Sequence, residues 1–196
     1  FLAAGAGYVA FVEEVIKESH LRRLGKLLDI GTGSCNIAVS VAHFLPDVEV
    51  HALDISPDAL TVAESNIRHH HVSARVRLIR ADVLGAEFRL PPQEYDLIVS
   101  NPPYISAKEF EQLPPEIKDH EPSMATTDHG DGLIFYRTIA GVGKQLLRQQ
   151  GKIFVEIGFG QSKPVADIFR EEGYLSIEVI RDYDNIDRVM KISPGT

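Results

Sequence analysis

The strongest constraint on this chain is its rhythm: short apolar runs take turns with segments of helical periodicity. Lys26 to Ile30 is such a run; a glycine turn follows, then a helical pattern through Ile37, Val39, Val41, Ala42 and Leu45 that stops at Pro46. The unit then repeats. Val48 to Leu53 predicts a strand and Pro57 to about His70 a helix, opened by Ser56 as N-cap with Pro57 at its first position. Arg75 to Arg80 and Tyr95 to Ser100 predict the third and fourth strands, Gly132 to Gln149 a helix, Lys152 to Ile157 a fifth strand and Ser162 to Glu172 another helix. Leu175 to Arg181 and Arg188 to Ile192 follow each other with no helix between, so that pair must be antiparallel, whereas the alternating units demand right-handed crossovers and parallel strands. The expected fold is α/β: a doubly wound, mostly parallel seven-stranded sheet with a C-terminal antiparallel strand.

An amphipathic helix from Gly7 to about Leu24 precedes the first strand, which divides the chain into a leading helical segment, 1–25, and a domain, 26–196. The opening Phe1-Leu2-Ala3-Ala4-Gly5 has no initiator Met and reads as the edge of a longer protein. A formal charge of −8 argues against gathering nucleic acid by a global field. One cysteine, Cys35, rules out an internal disulfide framework, and no apolar run approaches the roughly 20 residues that span a bilayer. The expectation is a cytoplasmic monomer with no membrane partner and no direct nucleic-acid partner. From Asn101 to Asp131 the sequence predicts a long, proline-rich stretch without regular structure, of the kind that is usually functional.

Chemistry gathers at the strand ends. In Leu28-Asp29-Ile30-Gly31-Thr32-Gly33-Ser34-Cys35-Asn36 the two glycines allow a sharp turn and a close approach of bare backbone to a ligand, with a helix N-terminus behind them. Such a turn serves dinucleotides, S-adenosylmethionine or plain helix packing, and Asn36 stands where a dinucleotide fingerprint has its third glycine. Asp54, at the end of the second strand in Leu53-Asp54-Ile55-Ser56, is placed to accept two ribose hydroxyls. Asp82, before Val83 at the end of the third strand, is placed to accept the exocyclic amine of an adenine. Singly each Asp reads as a cap or turn residue; three consecutive strand ends favour an adenosine ligand.

The fourth strand ends in Ser100-Asn101-Pro102-Pro103-Tyr104-Ile105. The Asn101 side-chain oxygen and the Pro102 carbonyl are two acceptors with no competing proline N–H between them. They suit the two hydrogens of a planar NH₂ group, with the Tyr104 ring packed over it and the nitrogen turned toward an electrophilic methyl. An amide nitrogen is a poor nucleophile, so positioning and electrostatic stabilisation must supply most of the rate.

These residues resemble S-adenosylmethionine-dependent methyltransferases carrying an Asn-Pro-Pro-Tyr motif. Within them the chain is similar to the HemK/PrmC family, which methylates the glutamine side-chain nitrogen, N5, in the Gly-Gly-Gln loop of peptide chain release factors. The similarity runs through LLDIGTGSCNIAVSVA, ALDISPDAL, YDLIVSNPPYI, DHEPSMATTDHGDGLIFYRTIA, IFVEIGFGQ and RDYDNIDRVM. It implies a Rossmann-like class I methyltransferase fold, and S-adenosyl-L-methionine held by Gly31, Thr32, Gly33, Ser34, Cys35, Asp54 and Ile55, with Asp82 and Val83 near the adenine. It implies a substrate amide held by Asn101, Pro102, Pro103 and Tyr104, with Asn101, Pro102 and Tyr104 as catalytic residues and Asn101 bordering the cofactor too. The resemblance has three departures: Cys35 replaces a small glycine, Ala4 to Tyr8 replaces a Pro-Arg-Pro-Glu-Thr stretch, and the family's N-terminal helical domain is absent from the sequence. A fragment of this kind is expected to bind cofactor better than it recognises its protein substrate.

Other residues carry simpler readings. His69, His70 and His71 end a helix and point in different directions, so no metal is expected there. Glu121 reads as an organiser of the long loop rather than a catalytic carboxylate, Glu156 as either a supporting hydrogen-bond partner or a satisfied buried carboxylate, and Asp187 and Arg188 as structural pairing residues. Cys35, beside a helix N-terminus, is a candidate for a depressed pKa, without a partner that would mark it as a nucleophile. Alternative activities are glutamine N5 methylation of a ribosomal protein, methylation of an exocyclic base amine in nucleic acid, and a cofactor-binding module without catalysis.

Overall fold

A computed structural model describes residues 6–21, 23–113 and 123–195. The chain runs α1 (Ala6–Leu21), β1 (Lys26–Ile30), α2 (Asn36–Phe44), β2 (Glu49–Asp54), α3 (Pro57–His69), β3 (Val76–Arg80) and β4 (Tyr95–Ser100). It continues through two short helices, α4 (Ala107–Gln112) and α5 (Ser123–Thr126), then α6 (Ile134–Leu146), β5 (Leu147–Glu156), α7 (Ser162–Glu171), β6 (Ser176–Arg181) and β7 (Asp187–Ser193). The seven strands form one sheet in the order β3-β2-β1-β4-β5-β7-β6. Strands β1 to β5 pair in parallel, and β7 is inserted antiparallel between β5 and β6. This is the doubly wound α/β fold that the alternation of runs requires.

Side chains alternate across the pleat, so neighbouring residues of one strand serve opposite faces. Leu27, Leu97, Val99 and Phe154 pack with Phe11 and Val15 of α1 and Val41 of α2. Leu28, Ile98, Ile153 and Val155 pack with Tyr136 and Ile139 of α6 and Phe169 of α7. Helix α1 is docked by polar groups as well. The Tyr8 hydroxyl donates to the Asn36 carbonyl at 2.9 Å, and the buried Glu18 carboxylate lies 2.7 Å from Lys152 and 3.2 Å from Lys191. Burial by itself raises the Glu18 pKa, but the two lysines outweigh it and hold the carboxyl below its ordinary range.

Two expectations need correction. The stretch from Asn101 to Asp131 is not without regular structure, because α4, α5 and a bridge between Ile105 and Thr127 lie in it. Ser106 opens α4 with a reciprocal capping box to Glu109, a signal that the prolines around it obscured. The helix expected to reach Gln149 stops at Leu146, and β5 begins at Leu147, five residues early. There Leu147 pairs with Tyr95, and the register shifts before Lys152 meets Leu97; this irregular pairing does not register as simple alternation. Glu121 lies outside the described residues.

Candidate active site

Register places the candidate residues in one row. Ile30 pairs with Leu53 on one side and with Ser100 on the other, and Ser100 pairs with Val155. One step beyond that row come Asp54, Gly31, Asn101 and Glu156, side by side along the carboxyl edge of the sheet. The order of strands reverses between β1 and β4, the position at which open α/β sheets form their ligand crevice. Gly31 and Asn101 flank that switch point. With strands about 4.8 Å apart, Asp54 and Asn101 stand roughly 10 Å from each other across it. The buried Ser100 hydroxyl donates to the Ile30 carbonyl at 2.8 Å, tying the two strand ends together below the crevice.

The glycine turn is shaped for a close ligand. Gly31 and Gly33 adopt φ of 70° and 56°, the left-handed region that glycine enters without a steric penalty, and a Cβ built on either would meet nothing within 4 Å. Open space therefore lies over bare backbone. Gly31 N and Thr32 N both donate to the Leu53 carbonyl, at 2.8 and 2.9 Å. Asp54 accepts from Gly33 N at 2.8 Å through Oδ2 and from Ser56 N at 2.9 Å through Oδ1. A carboxylate offers about four lone-pair sites, so Asp54 retains acceptor capacity beyond these two bonds. Ile55 is exposed beside it. The Ser34 carbonyl accepts from the Asn66 amide of α3 at 2.8 Å.

Asp29 is a residue that the motif reading passed over. It is buried in β1 below the turn, and its Oδ2 accepts the Thr32 hydroxyl at 2.7 Å. Burial pushes its carboxyl up to about 7, with the Thr32 bond opposing the shift. A run of apolar neighbours concealed it as part of a strand. Its position one residue before Ile30, within a buried parallel strand, is the signal that marks it, since a lone carboxylate there needs a purpose.

The expectation for the Cys35 thiol is corrected. Its side chain is wholly buried, and burial pushes the thiol up to about 12 rather than down. Its φ is 70°, a left-handed conformation that a non-glycine residue holds at about 1 to 2 kcal/mol. That conformation is the physical reason a glycine suits this position.

At the third strand end, Ala81 N donates to the Asp54 carbonyl at 3.1 Å and so sets the next residue near the crevice. Asp82 is exposed, and its Oδ1 accepts from Leu84 N at 2.9 Å, while Val83 is buried in the core. Asp187 and Arg188 do not pair with each other, because successive strand residues face opposite ways. Asp187 accepts from Ser162 and Arg181, and Arg188 donates to Asp182. Glu156 is partly buried, and that burial raises its pKa against the pull of Arg188. Among the described residues no group of three or more His, Cys, Asp or Glu gathers as a metal site, and no helix is long and apolar enough to cross a membrane.

In the second half of the crevice Asn101 is exposed, Pro102 is buried, and Pro103 and Tyr104 are partly buried. The prolines thus anchor the segment while the amide side chain stays available. Behind it, Asp128 gathers the backbone N–H groups of Gly130, Gly132 and Ile134 at 2.7 to 3.1 Å, ordering the loop that leads into α6.

The doubly wound sheet, with a glycine turn, a carboxylate and an amide-bearing strand end along one edge, belongs to a class: the Rossmann-like methyltransferase domains. The chain belongs to the methyltransferase small domain family, whose family model matches residues 4–115. It is 38% identical over 179 residues to a release factor glutamine methyltransferase of Clostridium acetobutylicum, covering 91% of this chain and 62% of that protein. It is 42% identical over 168 residues to a bifunctional methyltransferase of Rickettsia typhi, covering 86% of this chain and 32% of that protein. The chain therefore spans less than two thirds of the length of either relative. In fold it resembles the crystal structure of a SAM-dependent methyltransferase from Aquifex aeolicus, with a TM-score of 0.64 at 13% identity over 96% of this chain and 91% of the other.

Proposed function

We propose that this domain transfers a methyl group from S-adenosyl-L-methionine to the side-chain amide nitrogen, N5, of a glutamine, and that in the whole protein the substrate is the Gly-Gly-Gln loop of a peptide chain release factor. The observation that carries the reading is the pairing of Ile30 with Ser100, which sets Asn101 beside the glycine turn at the sheet's switch point. When bound, the cofactor supplies an electrophilic methyl on its sulfonium. Gly31 to Cys35, Asp54 and Ile55 hold it, with Asp82 and Val83 at the adenine end.

The chain's own residues supply position and charge. The Asn101 side-chain oxygen and the Pro102 carbonyl accept the two N–H groups of the substrate amide, and Pro103 stiffens the segment. Tyr104 packs against the planar group. Methyl transfer would break the methyl–sulfur bond, leave the cofactor as a neutral thioether and put positive charge on the amide nitrogen; the fixed acceptor dipoles of Asn101 and Pro102 would stabilise that charge until the proton passes to solvent. Holding nucleophile and methyl at near-attack distance compensates for the weak nucleophilicity of an amide. The similarity to the release factor glutamine methyltransferase supports a release factor as substrate, and the charge of −8 disfavours a polyanionic one.

The test is transfer of labelled methyl to a release factor, to ribosomal proteins and to oligonucleotides in parallel, with wild type and Asn101→Ala. The release factor glutamine is expected to carry the label. Asn101→Ala is expected to lower kcat by about 100- to 1,000-fold, the usual effect of removing one transition-state dipole, with cofactor affinity retained. Full transfer by the variant refutes the amide clamp; label confined to ribosomal proteins or oligonucleotides refutes the substrate.

A further inference from the structure

Tyr104 is enclosed by residues from two distant segments, 132–136 and 158–161. Gln161, between β5 and α7, donates from Nε2 to the Tyr104 carbonyl at 2.9 Å, across 57 positions of sequence. Its Oε1 accepts from Gly158 N at 3.0 Å, and its own N–H donates to the Gly158 carbonyl at 3.1 Å. Both ends of the side-chain amide are thus engaged, and only this orientation offers a donor to the carbonyl and an acceptor to the N–H. The Tyr136 hydroxyl, which donates to the Glu156 carbonyl at 2.9 Å, stands 3.5 Å from the same Oε1.

Two glycines complete the enclosure. A Cβ at Gly158 would lie 2.8 Å from Gln161 Oε1 and 2.9 Å from Tyr104 Cδ2. A Cβ at Gly132 would lie 2.5 Å from the Tyr104 carbonyl oxygen and 3.1 Å from Gln161 Nε2. Neither position has room for a side chain unless Tyr104 or Gln161 moves. The bond to the Tyr104 carbonyl grips the main chain at the end of the proline segment, beside Ile105, whose N–H donates to the Thr126 carbonyl at 3.2 Å.

The geometry points to Gln161 as a positioning residue for the amide clamp, which rests on the function proposed above: it fixes the main chain at Tyr104, and through it the ring and the acceptor pair of Asn101 and Pro102. The role is indirect, because Gln161 acts on Tyr104 and not on the reacting atoms.

Gln161→Glu isolates this role. It keeps the size of the side chain and an acceptor for Gly158 N–H, but it turns a carboxylate oxygen toward the Tyr104 carbonyl in place of the donor. Three quantities are read on the folded protein: kcat for the glutamine substrate, the Kd of S-adenosylmethionine, and the ¹⁹F spectrum after 3-fluorotyrosine labelling, with the Tyr104 signal assigned by Tyr104→Phe. Expected are a fall in kcat of about 100-fold, the scale of a misplacement near 1 Å, a cofactor Kd within about twofold of wild type, and a moved Tyr104 signal with those of Tyr8 and Tyr183 in place. Gln161→Met, of similar length without polar ends, is expected to reproduce the loss. An unmoved Tyr104 signal overturns the inference, and so does a moved signal with unchanged kcat. A purely structural role would weaken cofactor binding and lower the melting temperature along with kcat. If wild type transfers no methyl to any glutamine, the proposed function fails, and the fluorine spectrum by itself still decides whether Gln161 positions Tyr104.

Discussion

Asp29→Asn tests the electrostatics of the crevice floor through folding alone. Burial lifts the Asp29 carboxyl from its ordinary 3.8 to about 7. Between those values the unfolded chain has released its proton while the folded chain keeps it. The stability tied to this group is therefore fully present below pH 3.8, falls as pH rises, and levels off above about 7. At about 1.4 kcal/mol for each pH unit, the loss amounts to roughly 4 kcal/mol. Asparagine keeps the shape and an acceptor for the Thr32 hydroxyl but does not titrate. The wild-type protein is expected to lose about 4 kcal/mol relative to the variant between about pH 4 and about pH 8. Taking this difference cancels the other carboxylates and any pH-independent effect of the new amide. Because the sequence contains no tryptophan, urea unfolding followed by far-ultraviolet circular dichroism is the suitable assay. If the two stability curves run parallel within about 1 kcal/mol over that range, Asp29 is not held protonated and the account of the crevice floor is wrong.

Asp54→Ala removes the acceptor of Gly33 N and Ser56 N together with the proposed ribose contact. Calorimetric titration is expected to show S-adenosylmethionine binding weakened by about 10- to 100-fold, the scale of one or two hydrogen bonds to a charged group. Gly132→Ala places a Cβ 2.5 Å from the Tyr104 carbonyl at φ of 79°. The left-handed backbone alone accounts for about 1 to 2 kcal/mol, so a lowered melting temperature and reduced methyl transfer are expected, while calorimetry finds cofactor affinity near that of wild type.

Much of the fold was legible because its causes are local. A strand followed by a helix writes its period into neighbouring residues, and Ser56-Pro57 announces a helix start by hydrogen bonding and a preset φ; in the structure Ser56 Oγ accepts from Ala59 N at 3.2 Å. The start of β5 was not legible, since its irregular pairing with β4 depends on a partner strand some fifty positions away. Cys35 was misread for a related reason: proximity to a helix N-terminus is visible in sequence, but the complete burial that outweighs it is not.

By itself the sequence determined the doubly wound sheet, the glycine turn, the carboxylates that follow the second and third strands, and the stiff Asn-Pro-Pro-Tyr strand end, because period, caps and backbone permissiveness act over a few residues. Tertiary structure alone decided that β1 lies beside β4, so that Gly31 and Asn101 share the switch point. It also decided that Asp29 is buried under the turn and that Gln161 reaches Tyr104. Those outcomes depend on strand order and close packing between segments distant in the chain, and no local pattern encodes which distant neighbour a side chain will meet.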